Sequence, residues 1–230
     1  MVCADVARGD GKDFSAFHVI DVESMEQVAE YRGLISTKDY GNMLVNVATE
    51  YNDALLIIEN ANVGWAAIQP AIDRMYKNLF YSAKDLTIVD TQVQLSKGWD
   101  LKGKDKMVPG FSTTAKTRPM IISKLESYFR EKAPIIHSQR LVDELFVFIY
   151  NNNRAEAMRG YNDDLVMSYA MGLWIRETAL RLRAEGIELQ KKAMGSITSN
   201  QGVYLPKGNQ DDKWTWEIGK KQEDLTWLIK

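Results

Sequence analysis

The sequence has little cysteine, no long apolar run and almost no net charge. Its one cysteine, Cys3, cannot form an internal disulfide, which is consistent with a reducing compartment. No apolar stretch approaches the roughly 18 residues that a membrane span needs, and the first residues lack the basic and apolar regions of a signal peptide. The net charge of −2 gives no overall attraction to nucleic acid, so any grip on DNA must come from local patches.

The length and composition are those of one larger globular domain. With 230 residues, of which 45% are apolar and 26% charged, the chain can bury a sizeable core. It begins abruptly, because Met1 and Val2 lead straight into a strand-like apolar run, and this favours a domain that belongs to a longer chain. The sequence lacks the Gly-x-x-x-x-Gly-Lys-Ser/Thr pattern, so we do not expect ATP hydrolysis from it.

The order of apolar segments predicts an α/β domain. We expect three antiparallel strands, a helix ending near residue 52, a buried strand, a second helix and a short strand. The strands are predicted over 2–6, 15–22, 25–34, 54–58 and 79–82, and the second helix over 64–78. This order resembles that of the RNase H-like fold, a central mixed sheet flanked by helices.

Residues 84–111 differ from the rest of the sequence in residue pattern and are predicted to form an inserted β-hairpin. β-forming residues alternate from Thr87 to Leu95, and glycine-containing turns follow. Basic side chains with interleaved aromatic ones, Trp99 and Phe111, suit contact with a DNA backbone. The alternative is a solvated hairpin whose lysines keep it soluble. The candidate DNA-binding residues are Lys97, Lys102, Lys104, Lys106, Lys116 and Arg118.

The second half of the sequence predicts mainly helices. Helices are expected over 114–132, 141–150 and 163–183, the last with a charged continuation to 192, together with a short strand at 135–137 and a turn at 151–153. The main domain is therefore predicted to span 1–194. Residues 195–230 are interpreted as a flexible linker and a tryptophan-containing tail, which either packs back on the domain or contacts a partner.

Acidic residues stand at the ends of the apolar segments. Asp5 and Glu59 each follow a predicted buried strand, and Asp163-Asp164 opens the long helix. Hard Mg²⁺ or Mn²⁺ ions prefer oxygen ligands, and ions about 4 Å apart can clamp the attacking and leaving oxygens of a phosphodiester. Two carboxylates at strand ends and a third at a helix start suit such a two-ion site. For each position alone, an ordinary cap or strand end is the alternative.

Four segments of the sequence, in order and with compatible spacing, resemble the nuclease domain of the tailed-phage large terminase subunit. They are Val2-Cys3-Ala4-Asp5-Val6-Ala7-Arg8-Gly9 with Lys12-Asp13-Phe14-Ser15-Ala16, then Ile57-Ile58-Glu59-Asn60, then 110–119, and Gly160-Tyr161-Asn162-Asp163-Asp164-Leu165-Val166-Met167-Ser168. The resemblance covers about residues 2–180. It implies an RNase H-like fold and a metal-dependent endonuclease that cuts double-stranded concatemeric viral DNA during genome packaging.

The same resemblance implies partners and a location. An N-terminal ATPase motor domain is expected in the family and is absent from this sequence. The portal protein and the small terminase subunit are the other expected partners, besides the DNA itself. The host cell cytoplasm is the expected location, and no membrane association is expected.

The residues and the resemblance together give each carboxylate an expected role. Asp5 would bridge two Mg²⁺ or Mn²⁺ ions, because a strand end in the centre of the sheet is rigidly held. Glu59 would bind one ion and orient the attacking water. The resemblance favours Asp164 as the third ligand, with Asp163 as the helix cap or an auxiliary ligand. Asp13, across a loop with two glycines, is a second auxiliary candidate.

Two other functions are compatible with these features. A resolvase-type or transposase-type nuclease shares the acidic triad, although the segments 12–16 and 110–119 favour the terminase resemblance. The domain is alternatively a docking module for portal or motor partners, with weak nuclease activity in isolation. Metal-dependent cutting of DNA separates the enzyme from the docking module.

Overall fold

A computed structural model describes residues 1–11, 13–83, 107–151, 154–200, 215–218 and 221–224. The chain divides into two compact units, Met1–Arg183 and Ala184–Lys230. The strands are β1 (Val2–Asp5), β2 (Ser15–Ile20), β3 (Gln27–Gly33), β4 (Leu56–Ile58), β5 (Tyr81–Ala83), β6 (Met107–Pro109), β7 (Phe148–Asn151), β8 (Arg154–Ala157), β9 (Thr215–Ile218) and β10 (Lys221–Asp224). The helices are α1 (Thr37–Glu50), α2 (Gly64–Asp73), α3 (Thr117–Arg130), α4 (Gln139–Phe146) and α5 (Asp164–Asn200).

The central sheet of the first unit has the strand order β3-β2-β1-β4. Strand β1 pairs antiparallel with β2, and β2 pairs antiparallel with β3. On its other side β1 pairs parallel with β4, with Val2 opposite Leu56 and Ala4 opposite Ile58. Three antiparallel strands followed by a parallel fourth confirm the predicted mixed sheet and the RNase H-like class of the fold.

Both faces of this sheet are buried under helices. Val2 and Ala4 point to one face, where they join the buried side chains of α1 and α2. Cys3 points to the other face, where α3, α4 and α5 supply the core. Successive side chains of a strand alternate between faces, so a strand buried on both sides reads as a continuous apolar run, as the segments around β1 and β4 do.

Helix α5 packs very closely on the central strand. A Cβ atom on Gly172 would lie 2.7 Å from the Sγ of Cys3, so glycine is the residue that permits this approach. Among the residues that the structure describes, none of the helices combines the length and the apolar character that a membrane span requires.

The structure describes the base of the predicted hairpin. Strands β5 and β6 pair antiparallel, with Tyr81 opposite Pro109 and Ala83 opposite Met107. Residues 84–106, which contain most of the predicted insertion, lie outside the described residues.

Three sequence-based assignments in the second half were wrong. Of the strand predicted over 135–137, only Ile135 pairs, in an isolated bridge to Glu26. The helix predicted over 141–150 ends at Phe146, and residues 148–151 instead form β7, which pairs with β8 in a hairpin. Phe148, Ile149 and Tyr150 are strong β-formers, and the hairpin pairs their backbone groups. The segment 195–200, predicted to be loose, continues helix α5 to Asn200. Extending an existing helix by one residue costs much less than starting one.

Candidate active site

The parallel pairing of β1 with β4 places Asp5 and Glu59 side by side. Asp5 is the last residue of β1, and the N–H of Glu59 donates to the carbonyl of Ala4 at 2.9 Å. The carboxylates of Asp5 and Glu59 lie close enough for their charges to interact.

Asp164 is the third carboxylate of the cluster. As the first residue of α5, it accepts hydrogen bonds through Oδ2 from the N–H of Phe14 at 3.2 Å and from Nδ2 of Asn162 at 3.0 Å. Its charge also acts on Asp5. The structure therefore places these three carboxylates, which are far apart in the chain, close enough for the charges of Glu59 and Asp164 to act on Asp5.

The electrostatics of the cluster are unfavourable without a cation. Burial raises the pKa of Asp5 well above its ordinary value, and the charges of Glu59 and Asp164 act in the same direction. The N–H of Val6, which donates to Asp5 at 2.8 Å, opposes this shift in pKa. Burial also raises the pKa of Asp164, against the effect of its two hydrogen bonds. A divalent cation would relieve this repulsion.

The donor set fits hard divalent ions shared between carboxylates. In the part of the chain that the structure describes, no group of three His, Cys, Asp or Glu side chains closes around a single ion position. Mg²⁺ commonly keeps several waters and binds through one or two carboxylates plus substrate phosphate, so the three oxygen donors suit it.

The two members of the Asp163-Asp164 pair have different partners. Asp163 forms an ion pair with Arg118, which also donates from Nε and Nη2 to the carbonyl of Ala155 at 3.3 Å. Asp164 instead faces the β2 side of the site through Phe14. The ion pair engages the carboxylate of Asp163, whereas that of Asp164 belongs to the acidic cluster.

The other candidate residues lie around this cluster or outside the described residues. Asp13 is exposed and precedes Phe14, the residue that contacts Asp164. Lys116 is exposed directly before α3, and Arg118 is largely buried in its contact with Asp163. The remaining predicted DNA-binding residues lie in the segment 84–106, outside the described residues: Lys97, Lys102, Lys104 and Lys106.

The base of the hairpin adjoins the site. Phe111, just beyond β6, forms a bridge to Glu59, and its backbone pairs with Ile58 and Asn60 on either side. The side chain of Asn60 donates to the carbonyl of Pro109 at 3.0 Å and accepts from Ser112 at 2.9 Å. The insertion therefore starts and ends beside the strand that carries the second carboxylate.

Sequence reasoning did not find several residues that surround the carboxylates. The buried hydroxyl of Tyr40 has a pKa well above its usual value, because of burial first and then the charge of Asp5. Arg32 and Glu144 form an ion pair at 3.1 Å near Asp164. The proximity of Asn162 to Asp164 could be read from the sequence. For Glu144, the available signal was the acidic pair Asp143-Glu144 between the apolar positions of α4.

No family model matches this sequence, but solved structures with the same fold exist. The large terminase nuclease from the thermophilic phage G20c with bound magnesium is similar at a TM-score of 0.54 and 18% identity, over 75% of this chain and 78% of that chain. The cobalt-bound form gives 0.54 and 19% over the same shares. A third structure of that nuclease gives 0.52 and 18%, over 74% and 77%. The chain therefore has the fold of large terminase nuclease domains.

Replacing Asp5 should reveal the repulsion in the cluster as a pH-dependent gain in stability. The pKa of Asp5 is raised in the folded protein, so its ionisation destabilises the folded state as pH rises from about 4 through that raised value. In EDTA, we expect the melting temperature of Asp5→Asn to exceed that of the wild type increasingly as pH rises. The gain should reach at least about 2–4 °C, the shift that 1 kcal/mol gives in a protein of this size.

The matched control is Asp73→Asn, which changes an exposed carboxylate of α2. Thermal unfolding between about pH 5 and pH 8 makes the comparison. The account of the cluster would be wrong if the melting temperatures of Asp5→Asn and wild type differed by the same amount at every pH.

Proposed function

We propose that this chain is the nuclease domain of a phage large terminase, a metal-dependent endonuclease that cuts double-stranded concatemeric viral DNA during genome packaging. The observation that carries this proposal is the proximity of Asp5, Glu59 and Asp164, at the carboxyl ends of β1 and β4 and the start of α5, on the fold of large terminase nuclease domains. Solved nucleases of this fold hold magnesium or cobalt, which supports a site for divalent cations here.

Each carboxylate has a role that follows from its position. Asp5, on the central strand, would be shared between two Mg²⁺ or Mn²⁺ ions, with Glu59 and Asp164 each completing one side. When bound, such ions lower the pKa of a water and neutralise charge that develops on the phosphate. Glu59 would also orient the attacking water. The ion pair of Asp163 with Arg118 supports Asp164 as the third ligand, and Asp13 remains an auxiliary candidate.

The hairpin is the proposed route of contact with DNA. Strands β5 and β6, which flank the predicted hairpin, pair with each other, and Phe111 beyond β6 bridges to Glu59, which supports contact with DNA near the site. Six basic residues between Lys97 and Arg118 stand against Asp100 and Asp105, and a local excess of positive charge favours a phosphate backbone. Arg118 is engaged with Asp163, but a guanidinium has five N–H donors, so this pairing does not exclude a phosphate contact.

The assembly follows from the same proposal. The domain would act with an ATPase motor domain, the portal protein and the small terminase subunit in the cytoplasm of the host cell. The tail 195–230, with Trp214, Trp216 and Trp227, would contact such partners.

Cleavage of a supercoiled plasmid tests the activity. We expect the wild-type protein to nick and linearise the plasmid with Mn²⁺ and not with EDTA. Asp5→Asn is nearly isosteric but removes the shared ligand. It should slow cleavage more than about a hundredfold, since even changes next to metal ligands cost 10–100-fold. Asp73→Asn should cut like the wild type.

Near-normal cutting by a folded Asp5→Asn protein would contradict the site. Tight retention of the plasmid without cleavage by the wild type would instead favour the docking module.

The hairpin lysines should contribute affinity for DNA without contributing chemistry. Replacing Lys102, Lys104 and Lys106 with alanine removes up to three phosphate contacts. The slope of log affinity against log salt should then become shallower by up to about 2.7, at about 0.9 per contact. In the control, alanine replaces Lys77 and Lys132, which are exposed in turns of the first unit. This variant should keep the wild-type salt slope. If the hairpin variant kept the wild-type slope, these lysines would not touch the backbone.

A further inference from the structure

Glu144 reaches from helix α4 to the first turn of helix α5. Its Oε2 accepts hydrogen bonds from the N–H of Leu165 at 2.9 Å and of Val166 at 3.2 Å. These N–H groups lie at a helix start, where no intrahelical carbonyl can accept from them, and the positive end of the helix dipole favours a carboxylate there. The two bonded residues directly follow Asp164.

The other oxygen of Glu144 begins a chain of contacts that returns to Asp164. Oε1 lies 3.1 Å from Nη1 of Arg32, and the guanidinium of Arg32 stacks 4.4 Å from the ring centroid of Phe14. The backbone N–H of Phe14 then donates to Oδ2 of Asp164. Glu144 is thus connected to Asp164 in two ways. It bonds the backbone of the two residues that follow Asp164, and it pairs with Arg32, which stacks on Phe14, the residue that donates to Asp164.

The carbonyl of Leu165 is fixed as well. Nε2 of His18 lies 3.0 Å from that carbonyl, and Nδ1 of His18 lies 2.7 Å from Nε2 of Gln27. Burial lowers the pKa of His18 to about 4, so the ring is neutral at pH 7. The neutral tautomer that fits donates from Nε2 to the carbonyl and accepts at Nδ1 from the amide. The backbone of Leu165 is therefore bonded at both its N–H and its carbonyl.

A helix cap alone would not need this arrangement. Helices α1 and α4 are capped by serines that directly precede them, Ser36 and Ser138. The first turn of α5 instead takes a charged partner from another helix, and the side chain of that partner is only 6% exposed. Burying a carboxylate is costly unless it is paired. Oε2 of Glu144 is hydrogen-bonded to α5, whereas Oε1 has only the ion pair with Arg32 among the described residues.

We propose that Glu144 is a positioning residue that fixes Asp164 relative to Asp5 and Glu59 for metal binding. This inference rests on the proposed function, since it assigns Asp164 to the metal site. Metal ligands must be held to within about 0.5 Å of the productive geometry, and a helix start anchored through its backbone provides such a constraint. Groups that orient metal ligands typically change metal affinity or activity 10–100-fold when they are lost.

Two conservative variants test the length and the charge of the Glu144 side chain separately. Glu144→Asp keeps the charge but is one methylene too short for the N–H groups of α5. Glu144→Gln keeps the length and one acceptor oxygen but removes the charge. We expect Glu144→Asp to weaken Mn²⁺ binding, measured by calorimetry well below the melting temperature, about tenfold or more. Glu144→Gln should weaken it less, and affinity for a DNA duplex in EDTA should stay unchanged in both variants.

The matched controls are Glu126→Asp and Glu126→Gln, since Glu126 forms an ion pair with Arg130 on the surface of α3. Both should bind Mn²⁺ like the wild type. If Glu144→Asp fails to fold, Phe14→Leu tests the same chain of contacts from its other end. It keeps the N–H that bonds Asp164 but removes the ring under Arg32, and we expect Mn²⁺ binding at least about threefold weaker.

The inference would be overturned if folded Glu144→Asp bound Mn²⁺ with wild-type affinity. It would also be overturned if Glu144→Gln lost as much Mn²⁺ affinity as Glu144→Asp, or more. In the absence of folded Glu144→Asp, wild-type affinity in Phe14→Leu would overturn it. A wild-type protein that neither binds Mn²⁺ nor cuts plasmid would refute the proposed function itself. If the wild type binds Mn²⁺ and cuts plasmid, and Glu144→Asp binds Mn²⁺ with the same affinity, only the positioning role is refuted.

Discussion

The parallel pairing of β1 with β4 is the constraint on which the site depends. It aligns Ala4 with Ile58, so the two strands end together and Asp5 meets Glu59. A shift of one residue in this register would turn one carboxylate to the opposite face of the sheet. The register is well determined, because both faces of these strands are buried and a shift would exchange the residues of the two cores. The packing that stabilises the fold thereby also fixes the first two carboxylates.

The acidic cluster destabilises the folded protein, and neighbouring groups offset part of this effect. Burial raises the pKa of Asp5, and the neighbouring carboxylates of Glu59 and Asp164 raise it further. The N–H of Val6 stabilises the ionised form of Asp5. The N–H of Phe14 and the charge of Arg32 stabilise that of Asp164. A group of carboxylates held in this way gains stability from whatever cation it binds, since a ligand that binds only the folded state stabilises it.

The acidic cluster could be predicted from the sequence because each of its members adjoins a strong local signal. Asp5 and Glu59 end apolar runs, and Asp164 opens a helix, so strand order and the family resemblance sufficed to bring them together. Glu144 could not be found in this way, because its role depends on the angle between α4 and α5, which no local pattern contains. The end of α4 was misjudged because an apolar helical pattern and the β-forming residues 148–150 overlap, and pairing with β8 decided between them.

Anomalous diffraction from crystals grown with Mn²⁺ tests the central claim most directly. We predict two manganese peaks roughly 4 Å apart, with Asp5 between them, Glu59 beside one and Asp164 beside the other. Manganese bound elsewhere on the protein, with none at Asp5, would contradict the account.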